Sequence, residues 1–474
     1  DVQIDKIVKI RLNSKVEEDL LKKTSASTSF IYDTYGYPTQ EITAYTGNIS
    51  IKKTNVYSSK VEVGDGYYLG FLTDQTVAVT RGASTYTERM SISSHVSGLP
   101  LTRIYYVDGN QSKYQTFIYD AKGNVTTESS KLYSSTNSLT TSYLYDTYGR
   151  LSEVTNPLGL KNKYVYNSTG RVESIKDHRG GSTSYIYDVF GREKSVTMPD
   201  NTTLTTDYQW SEEGVNGLYS IKKSSTGKPV SRTVYDALNR NVRNSETRFD
   251  GTVINTDRLY DSYGNLQKVS LPFPGSSPSI WNTYTYDNFD RVTSYVEASG
   301  RKTTYSYNGN SVTTVEDKIS ATRNYDVQNN LISVTDPAGT ITYNLYADGL
   351  PISIVAPGNV TTSFGYDKYR RRTSMDDPSQ GRTIYKYDTS GNVYEETHAD
   401  GKIIQSGYDS YNRLKSVTTP EFVTTYTYNE KDELTGISTN NGTAKTFAYD
   451  VAGRLTTWKE SAVDNKWLQK IYTY

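Results

Sequence analysis

The sequence predicts an all-β protein built from tandem antiparallel β-hairpins, and a regular repeat is the first reason. Tyr-Asp or Tyr-Asn recurs at a near-constant interval, with Tyr145, Tyr166 and Tyr187 spaced 21 residues apart. A period of this length is typical of architectures in which one small supersecondary unit is stacked many times. The same period returns in the C-terminal part of the chain, at Tyr366, Tyr387, Tyr408, Tyr428 and Tyr449.

Composition supports the same fold class. The 474 residues include 45 Tyr but only 10 Phe and 4 Trp, and hydrophobic residues make up 35% of the chain. Tyr, Thr and Val favour strands, whereas Gly, Asn, Asp and Pro favour turns. Because aliphatic residues are scarce, we expect a thin β wall carrying amphipathic tyrosines and no thick aliphatic core.

One repeat can be interpreted residue by residue in the stretch from Tyr143 to Gly159. Tyr143 and Tyr145 are two residues apart, so they share one face of a strand. Asp146 can accept a hydrogen bond from the backbone two residues later, and Gly149 supplies the positive φ that closes the turn. Residues 150–155 form a second strand, and Asn156-Pro157-Leu158-Gly159 forms a second turn. One repeat is therefore one hairpin with its connection.

The Asp-x-x-Gly turn recurs with informative substitutions. Asn replaces the aspartate at Asn167, and the glycine is replaced at Asn239, Asp290 and Asn412. Asn and Asp tolerate the left-handed conformation best after Gly, so these departures meet the same backbone demand. The structural repeat signature is clearest at Tyr145, Asp146, Gly149, Tyr166, Gly170, Tyr187, Asp188, Gly191, Tyr387, Asp388, Gly391, Tyr449, Asp450 and Gly453.

The repeat divides the chain into two predicted parts. Residues 119–474 carry the regular repeats, and residues 1–118 are expected to be divergent repeats of the same wall. Val16 to Lys23 is predicted to form two turns of helix. Extra residues at 214–217 and 272–278 are expected to lengthen strands or hairpin tips. The chain ends at Tyr472-Thr473-Tyr474, which resembles the first strand of another repeat, so we expect a truncated C-terminus.

The number of repeats predicts the architecture. About 17 repeats of two strands each, at about 4.8 Å per strand, make a sheet about 160 Å wide. Open twisted sheets of that width curl or close, and a single turn would be about 50 Å across, too wide for side chains to fill. The prediction is a curved, spiralling hollow β shell, either part of one or whole.

Charge, cysteine content and hydropathy exclude several functional classes. Basic and acidic residues are balanced at 52 each, without the clustered Lys and Arg that nucleic-acid binding needs. The absence of cysteine removes disulfides, thiol catalysis and cysteine-ligated metals. No apolar run approaches the length of a membrane span.

Residues with catalytic or metal-binding chemistry form no recognisable site. His95, His178 and His398 lie in different repeats without ligand spacing, so they are interpreted as turn or strand residues. Adjacent acidic pairs such as Glu395-Glu396 point to opposite faces of a strand and cannot act together as a glycosidase pair. We therefore predict no enzyme activity, no catalytic residues, no cofactor and no metal site.

The motif Tyr-x-Tyr-Asp-x-x-Gly-Arg-Leu-x-x-Val-Thr-x-Pro-x-Gly, at Tyr143 to Gly159, resembles the RHS-repeat (YD-repeat) family. Partial copies occur at Tyr185 to Pro199, Tyr325 to Gly339 and Tyr385 to Val393. The family includes bacterial RHS polymorphic toxins, Tc-type toxin shell components, wall-associated proteins and teneurins. The resemblance implies a secreted β shell that encloses a C-terminal polypeptide, commonly a toxin.

One family feature is not matched. Toxin-bearing members end their repeats in a self-cleaving region with an Asp-Pro-x-Gly-Leu stretch. The nearest match is Asp336-Pro337-Ala338-Gly339, but Thr340 follows it. We interpret this segment as an ordinary turn and predict no self-cleavage.

Two functional hypotheses follow from the resemblance and the tyrosines. The first is a non-enzymatic shell segment of a large secreted bacterial protein, whose partners are a C-terminal cargo or toxin polypeptide and neighbouring shell segments. The alternative is a cell-surface adhesion or carbohydrate-binding module that uses exposed tyrosines to bind glycans. In the structural interpretation, the tyrosines hold the wall together through cross-strand aromatic pairs.

Overall fold

A computed structural model describes residues 10–58, 61–64, 67–96, 98–210, 217–461 and 466–473. The described residues form 43 β-strands and one short 3-10 turn at Pro357–Asn359. The predicted all-β class with tandem antiparallel hairpins is confirmed. The described residues contain no helix long and apolar enough to span a bilayer.

The strands follow one another with short turns between them. The strands of the N-terminal part are β1 (Ser14–Asp19), β2 (Thr24–Tyr32), β3 (Pro38–Tyr45), β4 (Ile49–Tyr57), β5 (Val61–Gly64), β6 (Tyr67–Leu69), β7 (Leu72–Arg81), β8 (Ser84–Val96), β9 (Leu99–Val107), β10 (Asn110–Tyr119) and β11 (Val125–Leu132). The central strands are β12 (Leu139–Tyr145), β13 (Leu151–Thr155), β14 (Lys161–Tyr166), β15 (Val172–Lys176), β16 (Ser182–Tyr187), β17 (Glu193–Thr197), β18 (Thr203–Trp210), β19 (Tyr219–Ser225), β20 (Val230–Tyr235), β21 (Asn241–Thr247), β22 (Val253–Tyr260), β23 (Leu266–Ser270), β24 (Phe273–Pro274), β25 (Trp281–Tyr286) and β26 (Val292–Val296).

The remaining strands keep the short lengths of the regular repeats. They are β27 (Lys302–Asn308), β28 (Ser311–Glu316), β29 (Ile319–Tyr325), β30 (Leu331–Asp336), β31 (Gly339–Leu345), β32 (Pro351–Ala356), β33 (Val360–Tyr366), β34 (Arg372–Asp377), β35 (Gly381–Tyr387), β36 (Val393–Thr397), β37 (Ile403–Tyr408), β38 (Leu414–Thr418), β39 (Val423–Tyr428), β40 (Leu434–Thr439), β41 (Ala444–Tyr449), β42 (Leu455–Ser461) and β43 (Trp467–Ile471).

The contacts group the chain into two compact units, each assembled from separate stretches of sequence. The first unit comprises Asp1–Ser142, Tyr307–Val312 and Thr322–Thr425. The second comprises Tyr143–Ser306, Thr313–Ala321 and Tyr426–Tyr474. Each unit therefore contains an earlier and a later run of consecutive hairpins.

In the first unit, each strand pairs antiparallel with the next strand in the sequence from β1 to β4 and from β7 to β11. Strands β5 and β6 pair only with each other, and β4 pairs directly with β7. The later run pairs in the same way from β29 to β39. In the second unit, the same pattern holds from β13 to β23 and from β40 to β43.

The repeated tyrosine marks an irregularity in the ladder. The register shifts between Val165 and Tyr166, and again between Ile186 and Tyr187, because the partner strand has one extra residue there, Glu173 or Lys194. A bulge of this kind increases the local twist of the strand that contains it. The repeated tyrosine thus lies opposite the bulge near the start of the strand that follows its turn.

The helix predicted for Val16 to Lys23 is wrong. These residues lie in β1 and the turn after it, and Val16 is paired with Ser27 of β2. The side chain of Asp19 accepts backbone hydrogen bonds from Leu21 and Lys22 at 3.0 and 2.8 Å, which stabilises a hairpin turn. Helix propensity is a weak preference, and the available strand partner overrides it.

The extra residues at 272–278 do more than lengthen a hairpin tip. β23 pairs with β25, and the two-residue strand β24 between them folds back to pair with β22. The other predicted extension, 214–217, lies mostly outside the described residues.

The wall has a very small core. Among the described residues, the largest side chains that are fully shielded from solvent are Thr28 and Ser220. Most strand residues are half-buried, as expected for a sheet whose two faces are only partly covered. Backbone pairing and repetition therefore carry the stability that an aliphatic core would supply elsewhere.

Candidate functional site: the Tyr-Asp turns

The turn that follows each repeated tyrosine is built around one aspartate. Asp146 Oδ1 accepts hydrogen bonds from the backbone N–H groups of Tyr148 and Arg150, both at 2.9 Å. The N–H of Gly149 donates to the Asp146 carbonyl at 3.0 Å, and the N–H of Asp146 donates to the Arg150 carbonyl at 2.8 Å. The predicted turn is present, and the carboxylate reaches two residues further along the chain than the sequence indicated.

The fourth position of the turn requires a left-handed backbone. Gly149 has a φ of 81°. The substitutes named from the sequence have the same conformation, with φ of 63° at Asn239, 60° at Asp290 and 65° at Asn412. Sequence analysis missed Arg370, which occupies this position with a φ of 64° even though arginine rarely adopts it.

An arginine directly after this position pairs with the aspartate. Arg150 Nε lies 2.7 Å from Asp146 Oδ2. The same 2.7 Å ion pair joins Arg192 to Asp188, Arg240 to Asp236, Arg291 to Asp287, Arg371 to Asp367, Arg413 to Asp409 and Arg454 to Asp450.

The electrostatics of the turn favour the ionised carboxylate. Partial desolvation opposes ionisation of Asp146, but hydrogen bonds from the Arg150 backbone and guanidinium outweigh it and lower the pKa of this carboxyl. The same balance lowers the pKa of Asp188, where Arg192 supplies both bonds. These aspartates are therefore acceptors held in a fixed geometry, which suits a structural role better than proton transfer.

The tyrosine of one repeat is bonded to the repeat before it. The Tyr166 hydroxyl donates a 2.8 Å hydrogen bond to the carbonyl of Leu151, the first residue of β13. The equivalent bonds run from Tyr187 to Val172 at 2.8 Å, Tyr366 to Pro351 at 3.0 Å, Tyr387 to Arg372 at 2.7 Å, Tyr408 to Val393 at 3.0 Å and Tyr449 to Leu434 at 2.9 Å.

The paired arginine also packs on the next tyrosine. The Arg150 guanidinium carbon lies 4.5 Å from the centroid of the Tyr166 ring. The same arrangement places Arg192 over Tyr208 at 4.0 Å, Arg240 over Tyr260 at 4.7 Å and Arg371 over Tyr387 at 4.4 Å. We call this group of aspartate, arginine and following tyrosine the repeat joint. The recurrent Arg after Gly in the motif was its sequence signal, but only the tertiary structure shows the ring on which the arginine packs.

Ring-to-ring contact between consecutive repeats also occurs, as the sequence interpretation anticipated. Tyr346 and Tyr366 meet edge-on with centroids 5.9 Å apart. In the repeats with a complete joint, however, arginine covers the tyrosine ring, so aromatic pairing alone does not link the repeats.

In the first unit, Tyr-Asp turns of the later run contact connecting turns of the earlier run. Ser134 Oγ donates to the Thr389 carbonyl at 2.9 Å, and the hydroxyls of Ser135 and Ser390 are 3.2 Å apart. A Cβ added to Gly391 would lie 2.5 Å from Leu132, so a larger residue would displace this contact.

Arg370 provides a stronger contact within the same unit. Its guanidinium lies 3.0 Å from Asp108 and 3.4 Å from Asp348, and its side chain is 18% exposed. The rings of Tyr86 and Tyr346 lie on it, each with its centroid 5.1 Å from the guanidinium carbon. Arg370 therefore joins the earlier and later runs through charge and ring packing together.

The second unit shows the same kind of contact. Arg179 Nε lies 2.9 Å from Glu433 Oε1, and Arg454 lies 2.5 Å from Asp200. His178 Nε2 is 3.1 Å from the Lys431 carbonyl. Here too, turns of the later run carry Glu433 and Arg454, and connecting turns of the earlier run carry their partners.

Large apolar side chains project from the Tyr-Asp turns of the earlier run in the second unit. The third residue of each of these turns is Tyr148, Phe190, Leu238, Tyr263 or Phe289, exposed by 82, 77, 72, 87 and 59%, respectively. We call these five residues the exposed turn row. Of the turns of the later runs whose contacts are described above, four have Asp348, Ser390, Lys431 or Ala452 at this position, and the turn of Arg370 has Tyr369. The high exposure of five large side chains in successive turns identifies the row as a candidate binding surface.

The three histidines lie in separate environments. His95 packs beside Phe71 with ring centroids 5.8 Å apart, and His398 Nε2 lies 3.3 Å from Glu396. His178 lies in the turn contact described above. Among the residues that the structure describes, no cluster of His, Asp and Glu is arranged to hold a metal ion.

The Asp336-Pro337-Ala338-Gly339 segment forms the turn between β30 and β31. Asp336 is paired with Gly339, and the Ala338 N–H donates to Asp336 Oδ1 at 2.8 Å. The segment is therefore an ordinary hairpin turn, as the sequence analysis interpreted it.

The comparisons with known proteins agree with this architecture. The RHS Repeat family profile matches residues 166–203 and 428–457. A search of curated protein sequences found no match. Among solved structures, the crystal structure of TcdB2-TccC3 is similar, with a TM-score of 0.61 and 10% sequence identity. The similarity covers 94% of this chain and 37% of the TcdB2-TccC3 chain, so this chain spans little more than a third of that length.

Two further structures are more distant. The TcdB2-TccC3-TEV crystal structure has a TM-score of 0.45 and 9% identity, over 95% of this chain and 41% of that one. A Tc holotoxin pore from Photorhabdus luminescens has a TM-score of 0.43 and 13% identity, over 94% of this chain and 26% of that one. The family match and the TcdB2-TccC3 similarity confirm the predicted recognition and fold class: the chain contains RHS repeats and has the fold of the TcdB2-TccC3 structure.

Proposed function

We propose that this chain is a non-enzymatic shell segment of a large secreted bacterial protein and encloses a C-terminal, toxin-type polypeptide. The fold shared with TcdB2-TccC3 is the observation that carries this proposal. The proposed partners are the enclosed polypeptide and neighbouring shell segments, and the proposed location is outside the cell or at its surface.

The repeat joints support a structural role for the signature residues. The joints connect consecutive repeats through a stacked arginine, and at Arg150 and Tyr166 also through a tyrosine hydrogen bond. Contacts between earlier and later runs, such as those of Arg370 and Ser135, add a second direction of attachment within a unit. A wall held in both directions would exclude proteases from whatever lies behind it.

We also propose that residues 1–118 are divergent repeats of the same wall and residues 119–474 the regular ones. The N-terminal strands are longer, up to 13 residues in β8, but pair with their neighbours in the same antiparallel manner. Longer strands with fewer Tyr-Asp turns would explain why the sequence period is lost there.

Thiol labelling can test enclosure directly because the chain has no cysteine. An unstructured polypeptide with one central cysteine would be fused after Tyr474, and its reaction rate with a bulky maleimide measured. If the wall encloses the polypeptide, labelling should be at least about tenfold slower than for the free polypeptide, because reaction then requires local opening.

A single cysteine at Ser262, an exposed turn residue, serves as the control for full access. Equal labelling rates for the fused and free polypeptides would contradict enclosure by this chain. A slow rate at Ser262→Cys as well would show that the reagent, and not the wall, limits the reaction.

A second candidate function is favoured by the exposed turn row. Tyr148 and Tyr263 project into solvent, and the Arg150 guanidinium carbon lies 4.8 Å from the Tyr148 ring. Rigid aromatic rings at turn tips can stack on sugar faces, so the row suits a surface adhesion or carbohydrate-binding module.

Glycan-array binding by the isolated chain tests this alternative. Binding should be lost in a variant carrying Tyr148→Ser and Tyr263→Ser and kept in Tyr166→Phe, whose ring belongs to a joint. Equal binding by both variants, or no binding by the wild-type chain, would contradict it.

A further inference from the structure

Two neighbouring connecting turns of the second unit border a cavity that is rich in lysine. It lies where β14 begins and β15 ends, beside the turn before Lys161 and the turn after Lys176. Its volume is about 340 Å³, near the lower end of the range that small-molecule sites occupy. Of the described residues that line it, Lys161, Lys163 and Lys176 are basic and Asp177 is acidic.

Two of these lysines oppose each other across the sheet. Lys163 of β14 and Lys176 of β15 are direct ladder partners. Like charges directly opposite one another are destabilising on a sheet face, so this pair is unfavourable without an anion between them. The other ladder partner of Lys176 is Ser182, which is exposed and carries no charge. Among the described residues, no ion pair involves Lys176.

One carboxylate outside the cavity partly compensates the lysines. Glu153 of β13 is the ladder partner of Lys163 on the side away from Lys176. Its oxygens lie 2.7 Å from Lys161 Nζ and 3.4 Å from Lys163 Nζ. The hydrogen bond from Lys161 lowers the pKa of Glu153, which is therefore ionised at neutral pH. Three ammonium groups and one carboxylate leave two positive charges on this cluster.

The acidic lining residue is held by its own turn. Asp177 Oδ1 accepts hydrogen bonds from the backbone N–H groups of Arg179 at 3.0 Å and Gly181 at 2.8 Å. The Asp177 carboxylate also lies 3.8 Å from the Arg179 guanidinium. Asp177 thus has a cationic partner within its turn, and its charge does not cancel that of the three lysines.

The cavity is open to a dissolved ligand. The side chains of Lys161 and Lys163 are 56% and 60% exposed, so their ammonium groups can be reached from solvent. A Cβ added to Gly159 or Gly180, one in each bordering turn, would meet no atom within 4 Å. The space above both turns can therefore hold a group attached to an anion bound by the lysines.

We propose that this cavity binds the phosphate group of a small ligand, either inorganic phosphate or a phosphate monoester. A phosphate carries between about 1.5 and 2 negative charges at neutral pH, which matches the two uncompensated charges of the cluster. Lys163 and Lys176 would donate charge-assisted hydrogen bonds to its oxygens from adjacent strands. The site is independent of whether the chain encloses a polypeptide.

Isothermal titration calorimetry of the whole chain tests the proposal with four probes in a phosphate-free buffer. Inorganic phosphate and glucose 6-phosphate represent the free ion and the monoester, acetate is a singly charged anion, and glucose is the neutral analogue. We expect saturable binding of at least one phosphate, binding of acetate at least about tenfold weaker, and none of glucose. The phosphate that binds more tightly identifies the source of the group.

Lys223 provides a matched control for the loss of one lysine. It is an exposed strand residue of the same unit, and its ladder partners are Thr206 and Ser231. Lys176→Met should weaken phosphate binding by about tenfold or more, the loss expected for a charge-assisted hydrogen bond, and Lys223→Met should change it by less than about twofold. Thermal unfolding of both variants checks that the sheet is intact.

A substitution at Glu153 reverses the expected sign. Glu153→Gln keeps an oxygen acceptor for Lys161 and removes the competing negative charge, so phosphate affinity should rise by about threefold. Absence of saturable phosphate binding, acetate binding as tight as phosphate binding, or equal weakening by Lys176→Met and Lys223→Met would overturn the proposal.

Discussion

The hydroxyl of Tyr166 donates a 2.8 Å hydrogen bond to the carbonyl of Leu151, the residue with which the second strand of the preceding hairpin begins. The bond joins two repeats at the point where the first leaves its turn. Because the ladder between β13 and β14 begins at Glu153 and Lys163 and does not include Leu151, the tyrosine satisfies a carbonyl that this ladder leaves available.

Removal of this hydroxyl should destabilise the wall. In Tyr166→Phe the ring remains against Arg150 while the Leu151 carbonyl loses its donor, so we expect a loss of about 1 kcal/mol in the free energy of unfolding. Tyr148→Phe is the matched control, since the Tyr148 side chain is 82% exposed and should change stability by less than about 0.5 kcal/mol. Urea denaturation measures both, and equal effects would contradict the joint.

The two functions of the turn aspartate can be separated by substitution. Asp146→Asn retains the acceptor for the N–H groups of Tyr148 and Arg150, as Asn167 does in the next repeat, but removes the ion pair with Arg150. Asp146→Ala removes both. The unfolding temperature should therefore fall further in Asp146→Ala than in Asp146→Asn, by differential scanning calorimetry. Equal decreases would mean that the backbone bonds add nothing.

Acid should weaken the turns. The pKa values of Asp146, Asp188 and Asp450 are lowered in the folded chain. At Asp146 and Asp188, hydrogen bonds from the following arginine together outweigh the desolvation that opposes ionisation. At Asp450, the largest contribution is the hydrogen bond from the backbone N–H of Arg454. A carboxyl whose pKa is lower when folded binds protons more readily when unfolded, so its stabilisation is complete above the unfolded pKa of about 4 and is lost below it.

The unfolding temperature should accordingly be nearly constant from about pH 7 to pH 5 and decrease below about pH 4. Scanning calorimetry across this range at fixed ionic strength provides the measurement. A chain that becomes more stable as the pH falls below 4 would contradict the assignment.

Alkaline pH should also destabilise the fold, through the tyrosines, whose pKa values are raised where those of the aspartates are lowered. Desolvation raises the pKa of Tyr187, Tyr387 and Tyr449, each of which donates a hydroxyl hydrogen to the previous repeat. A group whose folded pKa is raised stabilises the fold below its unfolded pKa, about 10, and this contribution is lost as the pH rises further. Near-ultraviolet titration should show tyrosines ionising together with unfolding above pH 10, and full ionisation of a still-folded chain would contradict the prediction.

Substitution of Arg370 tests whether its contacts with the earlier run compensate for the strain of its left-handed backbone conformation. Arg370→Gly should relieve about 1 kcal/mol of left-handed strain at a φ of 64°. It would also remove the contacts with Asp108, Asp348, Tyr86 and Tyr346, which we expect to be worth about 2 kcal/mol. The net result should be a loss of about 1 kcal/mol by urea denaturation.

Asn201→Gly is the control for the backbone effect. Asn201 is exposed and has a φ of 63° in the turn that begins at Met198, and asparagine tolerates this conformation better than arginine. The substitution should leave stability nearly unchanged. An increase in stability in Arg370→Gly would show that the contacts of Arg370 are weaker than the strain.

Local signals in the sequence were sufficient for the strands and turns of the regular repeats. The alternation around Tyr143 and Tyr145, the Asx acceptor at Asp146 and the positive φ at Gly149 are properties of a few consecutive residues. The same kind of reasoning was wrong at Val16 to Lys23, where helix propensity and strand pairing competed and a partner distant from the local pattern decided the outcome. The fold-back of β24 onto β22 was missed for the same reason.

The sequence by itself determined the all-β class, the hairpin unit and the positions that need a left-handed backbone, because each depends on interactions between residues close together in the chain. Only the tertiary structure decided what those residues contact. Arg150 meets Tyr166 one repeat later, and Arg370 meets Asp108 in an earlier run. These relationships depend on how strands are placed beside one another, and the one-dimensional period carries no information about that placement.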